Sequence, residues 1–302
     1  MCHDPASRPP DPPLPSGEVR PAESARVGLT AGDGTRFSAF SARPDSGGGP
    51  GIVILPDVRG LHPFYEQLAL RFAAAGVAAV AIDYFGRTAG VGERGDDFDY
   101  MAHIRQCRAE TIALDVAAAV AHLHAPEGGG ATSVFTVGFC FGGRQSFNQA
   151  AEAHELAGVV GFYGGVAPLS PAMLQRFGIE DTQDRNAPLL RVHDFTCPVL
   201  GLFGGADPGI TAEHRAAFDK ALGDAGIPHE LVVYEGAPHS FFDRRFEEYQ
   251  QALRGRVAPG PHLRRRTGLR RRRARRSISL AFERTSFSDG PYPSRRLFPQ
   301  TT

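Results

Sequence analysis

The chain alternates between short, continuously apolar runs and longer stretches in which apolar residues return every three or four positions. Runs at 51–56, 77–83, 133–139, 159–163, 198–203 and 230–234 are too short for buried helices and show no polar alternation. Strands buried on both faces of a parallel sheet have this signature. Between them, 63–75, 103–124, 142–153 and 211–225 carry helical spacing, and a further helix starts near Asp243. Upstream, 27–30 and 35–42 flank Gly32-Asp33-Gly34, a turn signal that predicts an opening hairpin. Strand, helix, strand in repetition specifies an α/β fold: a doubly wound, mostly parallel sheet with helices on both faces. Ligands bind such sheets beyond the carboxyl ends of the strands, so functional residues are expected just after strands.

Three segments are expected. Residues 1–22 carry Pro9, Pro10, Pro12, Pro13 and Pro15 without periodicity and read as a disordered leader. Residues 23–252 are long enough for one α/β domain with a buried core. Residues 253–302 form an Arg-rich, irregular tail. No run is long and apolar enough for a membrane span, and the start lacks the apolar core of a signal peptide, which predicts a cytoplasmic protein. The four cysteines, Cys2, Cys107, Cys140 and Cys197, are scattered, without metal-ligand spacing or the density of a disulfide scaffold. Reduced thiols are expected, and a reduced thiol can be a nucleophile.

Charge changes the picture only at the C-terminus. Fourteen of the 33 basic residues and two of the 33 acidic ones, Glu283 and Asp289, fall within 253–302, so a net charge of zero hides a basic tail on an acidic remainder. Either a basic arm for acidic surfaces or a non-native C-terminus from a shifted reading frame accounts for it. The second is favoured, because no aromatic residues interleave the arginine runs as base stacking would require. Nucleic acid is therefore not an expected partner.

Candidate chemistry sits where the sheet rule puts it. Gly138-Phe139-Cys140-Phe141-Gly142-Gly143 joins a strand to a helix in the G-x-C-x-G pattern of a nucleophile elbow, whose tight turn leaves no room for a Cβ two residues either side of the nucleophile. Asp207, in Phe203-Gly204-Gly205-Ala206-Asp207-Pro208, follows another strand and could orient a histidine. Of eleven histidines, His239 alone lies in a Gly/Pro-bounded loop, Gly236-Ala237-Pro238-His239-Ser240-Phe241, after the last strand. Nucleophile, acid and histidine fall in the chain order that α/β-hydrolases use. Against this stand a structural cysteine, a turn aspartate and a surface histidine, each ordinary alone.

Gly138–Gly143, the 204–207 segment and Pro238-His239-Ser240-Phe241 resemble the corresponding motifs of bacterial dienelactone hydrolases, over about residues 25–250. The resemblance implies an α/β-hydrolase fold and a metal-free, cofactor-free enzyme that opens a small carboxylated lactone through a Cys140-Asp207-His239 triad and an acyl-enzyme. It further implies that Leu55-Pro56-Asp57-Val58-Arg59-Gly60 is the family loop in which an acidic residue, usually glutamate, neighbours the cysteine; this chain carries the shorter Asp57. Oxyanion donors are then expected at the backbone N–H groups of Val58 and Phe141. A substrate carboxylate calls for an arginine, for which Arg94 or Arg87 in the loop after Asp83 is available, with Tyr84 and Phe85 shaping the wall. Four residues beyond His239 the family carries an arginine where this chain has Asp243, followed by Arg244 and Arg245. The rival readings are a broad carboxylesterase or thioesterase on the same triad and an inactive binding scaffold. The partner expected is a small lactone or ester, for a monomer or dimer.

Overall fold

The computed structural model describes residues 6–10, 21–45, 47–95, 97–178, 180 and 183–246. The Arg-rich tail, most of the leader and the greater part of the helix expected from Asp243 lie outside these residues; 243–246 themselves form a turn.

Eight strands form one sheet: β1 (Pro21–Thr30), β2 (Arg36–Pro44), β3 (Pro50–Leu55), β4 (Ala78–Ile82), β5 (Ser133–Phe139), β6 (Gly158–Phe162), β7 (Val199–Gly204) and β8 (His229–Tyr234). Their order is β1-β2-β4-β3-β5-β6-β7-β8. The hairpin β1–β2 is antiparallel, β2 pairs antiparallel with β4, and every pair from β4 onward is parallel. All residues of β4, β6 and β7 are buried, as continuous apolar runs in a sheet covered on both faces must be. The covering helices are α1 (Pro63–Ala74), α2 (Gly86–Ala89), α3 (Tyr100–Ile104), α4 (Ala109–His124), α5 (Phe141–Asn148), α6 (Pro171–Phe177), α7 (Pro188–Arg191) and α8 (Ala212–Asp224). Among the described residues, no helix is long and apolar enough to cross a membrane.

Helices α2, α6 and α7 are absent from the sequence expectation, α5 ends at Asn148 rather than near 153, and three further elements differ. The hairpin strands run longer, because Pro21–Thr30 pairs along Arg36–Pro44 nearly to its end. The single helix expected over 103–124 is two, α3 and α4, broken at Arg108, whose φ of −124° and ψ of 144° are extended. Residues 6–10, expected in a disordered leader, lie against the domain. Ser7, Pro9 and Pro10 are buried, the Arg244 N–H donates to the Arg8 carbonyl at 2.9 Å, and the Arg245 guanidinium donates to Ser7 Oγ at 2.7 Å. Proline rings with an apolar surface to cover, and a peptide carbonyl with a donor opposite, are enough to order a short segment that has no periodicity of its own.

Topology fixes where a site can form. The chain passes from β3 to β4 on one side and returns to β5 on the other, so the strand order reverses between β3 and β5, the position at which doubly wound sheets open a crevice. Register aligns the exits: Leu55 pairs with Gly138, Phe139 with Phe162 and Gly204 with Tyr234. The loops after β3, β5, β6, β7 and β8 therefore leave the same edge of the sheet.

Candidate active site

Cys140 sits between β5 and α5 with φ 56° and ψ −113°, a conformation that costs a non-glycine residue about 1–3 kcal/mol and persists only where its surroundings enforce it. They do so closely. A Cβ on Gly138 would stand 1.9 Å from the Gly142 carbonyl oxygen, and one on Gly142 would stand 2.1 Å from the Leu55 carbonyl oxygen. The Cys140 N–H donates to the Phe162 carbonyl at 3.0 Å, and its own carbonyl accepts from the Arg144 N–H at 3.1 Å. The thiol, half-buried, thus stands at the first turn of α5, the end of a helix that favours negative charge and whose N–H groups lack partners within the helix. Phe141 supplies the first of those N–H groups.

Asp207 and His239 meet across the loops after β7 and β8. The His239 Nδ1–H donates to Asp207 Oδ2 at 2.6 Å; a carboxylate can only accept, which assigns the proton to Nδ1 and leaves Nε2 unprotonated. Asp207 is 5% exposed. Burial pushes its carboxyl up, but the His239 hydrogen bond and charge, the Gly209 N–H at 2.9 Å and the Arg215 charge together hold it below the ordinary value, so it stays ionised. The histidine loop is anchored by Phe241 and Phe242, both buried, with Phe242 packed 5.3 Å from Phe139 and 4.7 Å from Phe162. Two buried aromatic rings, worth roughly 1.5–3 kcal/mol each, outweigh the strain of Ser240 at φ 62°. The His239 ring lies 5.0 Å from that of Tyr163, the residue after the strand that receives the Cys140 N–H. The Cys140 and His239 loops therefore share one support, the end of β6.

The loop after β3 is built on Asp57. Its side chain is fully buried and accepts from the Arg59 N–H at 2.8 Å, while its own N–H donates to Tyr65 Oη at 2.9 Å. Val58, half-buried, follows it. Tyr84 is 2% exposed, donates its hydroxyl to the Pro56 carbonyl at 2.8 Å and packs edge-on against Phe141 at 5.4 Å. Burial pushes its phenol well above the ordinary value, and the ring forms the wall joining the β3 loop to the elbow.

The two arginines part company. Arg94 pairs with buried Asp83 at 2.8 Å and lies over the Phe98 ring at 5.1 Å, facing a cleft beside the β3 loop. Arg87 turns to the other side of the domain. It is held by Asp33 of the hairpin turn, by Thr35 at 2.7 Å and by Asp115 of α4 at 2.8 Å. Asp243 is fully buried and accepts from the Arg245 guanidinium at 2.7 Å, so an arginine two positions on turns back to its carboxylate. Sequence reading did not single out Tyr163, which directly follows β6 and lies beside His239; applying the strand-end rule to every strand finds it.

A half-buried thiol in a strained strand–helix elbow, with an Asp-His pair leaving the same sheet edge, defines the α/β-hydrolase class. The profile of the Dienelactone hydrolase family matches residues 37–257, and the chain belongs to that family. It is 29% identical over 220 residues to a Yersinia pestis protein named "Putative carboxymethylenebutenolidase", covering 69% of this chain and 75% of that one. It is also 29% identical over 218 residues to a Bradyrhizobium protein named "Probable 2-oxo-3-(5-oxofuran-2-ylidene)propanoate lactonase", covering 70% and 82%. A Klebsiella pneumoniae crystal structure described as "Putative Dienelactone Hydrolase" superposes with a TM-score of 0.60 at 25% identity, over 72% of this chain and 88% of that one. The protein is a hydrolase of the lactone and ester type.

Proposed function

We propose that the protein opens a small carboxylated lactone through Cys140, Asp207 and His239. Cys140 Sγ adds to the lactone carbonyl while His239 Nε2 takes the thiol proton. The N–H groups of Val58 and Phe141 hold the oxyanion, with Tyr84 behind both, and Asp207 stabilises the imidazolium. Collapse breaks the ring C–O bond. The leaving oxygen takes the proton from His239 and stays tethered as part of the acyl group. Water, deprotonated by His239, then attacks the thioester; the carboxylic acid is released and the proton returns to Cys140. Protein groups relay every proton, the one that restores Cys140 coming from water, and supply every stabilising charge in this sequence, so it calls for no metal or cofactor.

The observation that carries this reading is the Cys140 elbow. A half-buried cysteine held at φ 56°, with glycines two residues either side that admit no Cβ, is a strained conformation of the kind that clusters at active sites. The test is hydrolysis of a dienelactone and of p-nitrophenyl acetate by wild type and Cys140→Ala. Lactone turnover lost in the variant supports the proposal. Ester turnover alone keeps the triad and replaces the lactone by the broader esterase or thioesterase reading. Turnover of neither by folded protein sinks it in favour of an inactive binding scaffold.

A further inference from the structure

Asp207 divides its two carboxylate oxygens between partners: Oδ2 accepts from His239 at 2.6 Å and Oδ1 accepts from the Gly209 N–H at 2.9 Å. The direction of the carboxylate, and with it the hold on the His239 proton, therefore depends on where Pro208-Gly209-Ile210 is kept. The histidine loop fixes the inner half of this turn. The Gly205 N–H donates to the Tyr234 carbonyl at 2.8 Å and the Ala206 N–H to the Ala237 carbonyl at 3.0 Å. A Cβ on Gly204 would stand 2.4 Å from that same Ala237 oxygen, so the two loops meet backbone to backbone. The outer half, 208–210, lies beyond these bonds.

Arg215 closes it. Half-buried on α8, its Nη1 donates to the Ile210 carbonyl at 2.5 Å and, more distantly, to the Gly204 carbonyl at 3.4 Å. One nitrogen thus joins the last residue of β7 to the far end of the turn and spans its base. The guanidinium charge also acts on Asp207. Burial pushes that carboxyl up, and Arg215 helps to hold it down, after His239 and the Gly209 N–H. This placement runs against the helix. Behind the Thr211 cap, α8 begins at Ala212, which makes Arg215 its fourth residue, close to the end whose partial positive charge disfavours a cation. Its bonds to the turn compensate for that position.

We propose that Arg215 is a positioning residue, which spans the base of the 204–210 turn, sets the direction of the Asp207 carboxylate and so keeps the His239 proton on Nδ1. The inference rests on the hydrolase reading above, to which it adds a residue that touches neither thiol nor substrate. Without the span, the Gly209 N–H moves off Oδ1 and the carboxylate turns. The ring proton is then free to settle on Nε2, where the base for Cys140 is needed. Lysine keeps the charge and can reach one of the two carbonyls.

The test compares kcat/KM for p-nitrophenyl acetate in the full chain, Arg215→Met, Arg215→Lys, Asp207→Ala and the double variant Arg215→Met with Asp207→Ala. Arg215→Met is expected to cost at least tenfold in the wild-type background and less than twofold on Asp207→Ala, where no carboxylate is left to direct. Arg215→Lys is expected to keep at least a third of wild-type activity. Long-range proton–nitrogen correlation spectra of the His239 ring, assigned through their loss in His239→Ala, give the second readout. They are expected to place the proton on Nδ1 in wild type and Arg215→Lys, and to show an Nε2-protonated population in Arg215→Met. No loss in the wild-type background, or a loss of similar size in both, marks a structural arginine and overturns the proposal. A ring still protonated at Nδ1 alone in Arg215→Met overturns it as well. Arg215→Gln carries the test should Arg215→Met fail to fold. Absence of turnover in folded wild type would sink the hydrolase reading alone, because the tautomer is read without turnover.

Discussion

Arg144, four residues after Cys140, donates both of its 2.7 Å hydrogen bonds from Nη2 to the two carboxylate oxygens of Asp184, with both side chains more than nine-tenths buried. The same carboxylate accepts from the Leu169 N–H at 2.8 Å, and Arg144 also donates to the Ala167 carbonyl at 3.0 Å. The pair thus ties the long excursion between β6 and β7 to the helix that carries the thiol. Removing one partner strands the other charge in the interior, a loss of about 3–5 kcal/mol. Arg144→Ala and Asp184→Ala are each expected to show it in urea unfolding, and a loss below about 1 kcal/mol would show that water reaches the site.

The elbow makes a sharper demand. Gly142→Ala places a methyl group 2.1 Å from a backbone oxygen that cannot move without disturbing β3. Overpacking costs typically 1–3 kcal/mol, and any relief displaces Cys140. Activity is expected to fall at least a hundredfold. Gly165→Ala is the control, because a Cβ there meets nothing within 4 Å; kinetics and melting temperature of the two variants side by side check the contrast.

How far these features were legible in the sequence depends on how local they are. The elbow could be read because its requirement, glycine two residues either side of the nucleophile, is written within five residues. Asp207 and His239 could be read because buried strands announce themselves as apolar runs and the loops follow. The break between α3 and α4 could not. Residues 105–108 contain neither glycine nor proline, and the contacts at the break are tertiary: Arg105 Nε donates to the Arg176 carbonyl at 2.9 Å, and Cys107 Sγ approaches the carbonyl of Tyr84. Arg87 is a similar case. Its partners lie 54 and 28 residues away along the chain, so a cation in a loop after a strand looked like a ligand-binding group until the sheet register brought Asp33 and Asp115 to it. Proline-rich composition likewise hid the docking of 7–10, which depends on Arg244 and Arg245 at the far end of the domain.

The Arg87 pair carries a pH signature. Burial raises the Asp115 carboxyl to about 6, with the Arg87 charge and hydrogen bond opposing, against about 3.9 in an unfolded chain. A folded-state value above the unfolded one means stability present below about pH 4 and lost as pH rises through 6. Two units correspond to about 3 kcal/mol at most. Asp115→Asn cannot ionise, so its stability relative to wild type is expected to improve between pH 4 and pH 7 by up to that amount. Chemical denaturation of both proteins at the two pH values checks it; a constant difference would mean that the ion pair offsets the desolvation in full.

The Asp207–His239 bond sets the last expectation. Asn in place of Asp207 keeps shape and volume but can offer an N–H toward the histidine, which reverses the tautomer and places the proton on Nε2, where the base is needed. In a serine protease the equivalent change lowers kcat about 10⁴-fold, and a fall of roughly 10³ to 10⁴ is expected for Asp207→Asn, with folding intact by circular dichroism. The held-down Asp207 carboxyl implies that this group sets no limb of the activity profile near neutrality. A triad acting as a unit also makes the losses non-additive. The double variant Cys140→Ala with Asp207→Asn should be no slower than Cys140→Ala alone. If instead the two losses multiply, Asp207 acts by some route other than the thiol and its base, and the assignment of the three residues to one mechanism falls.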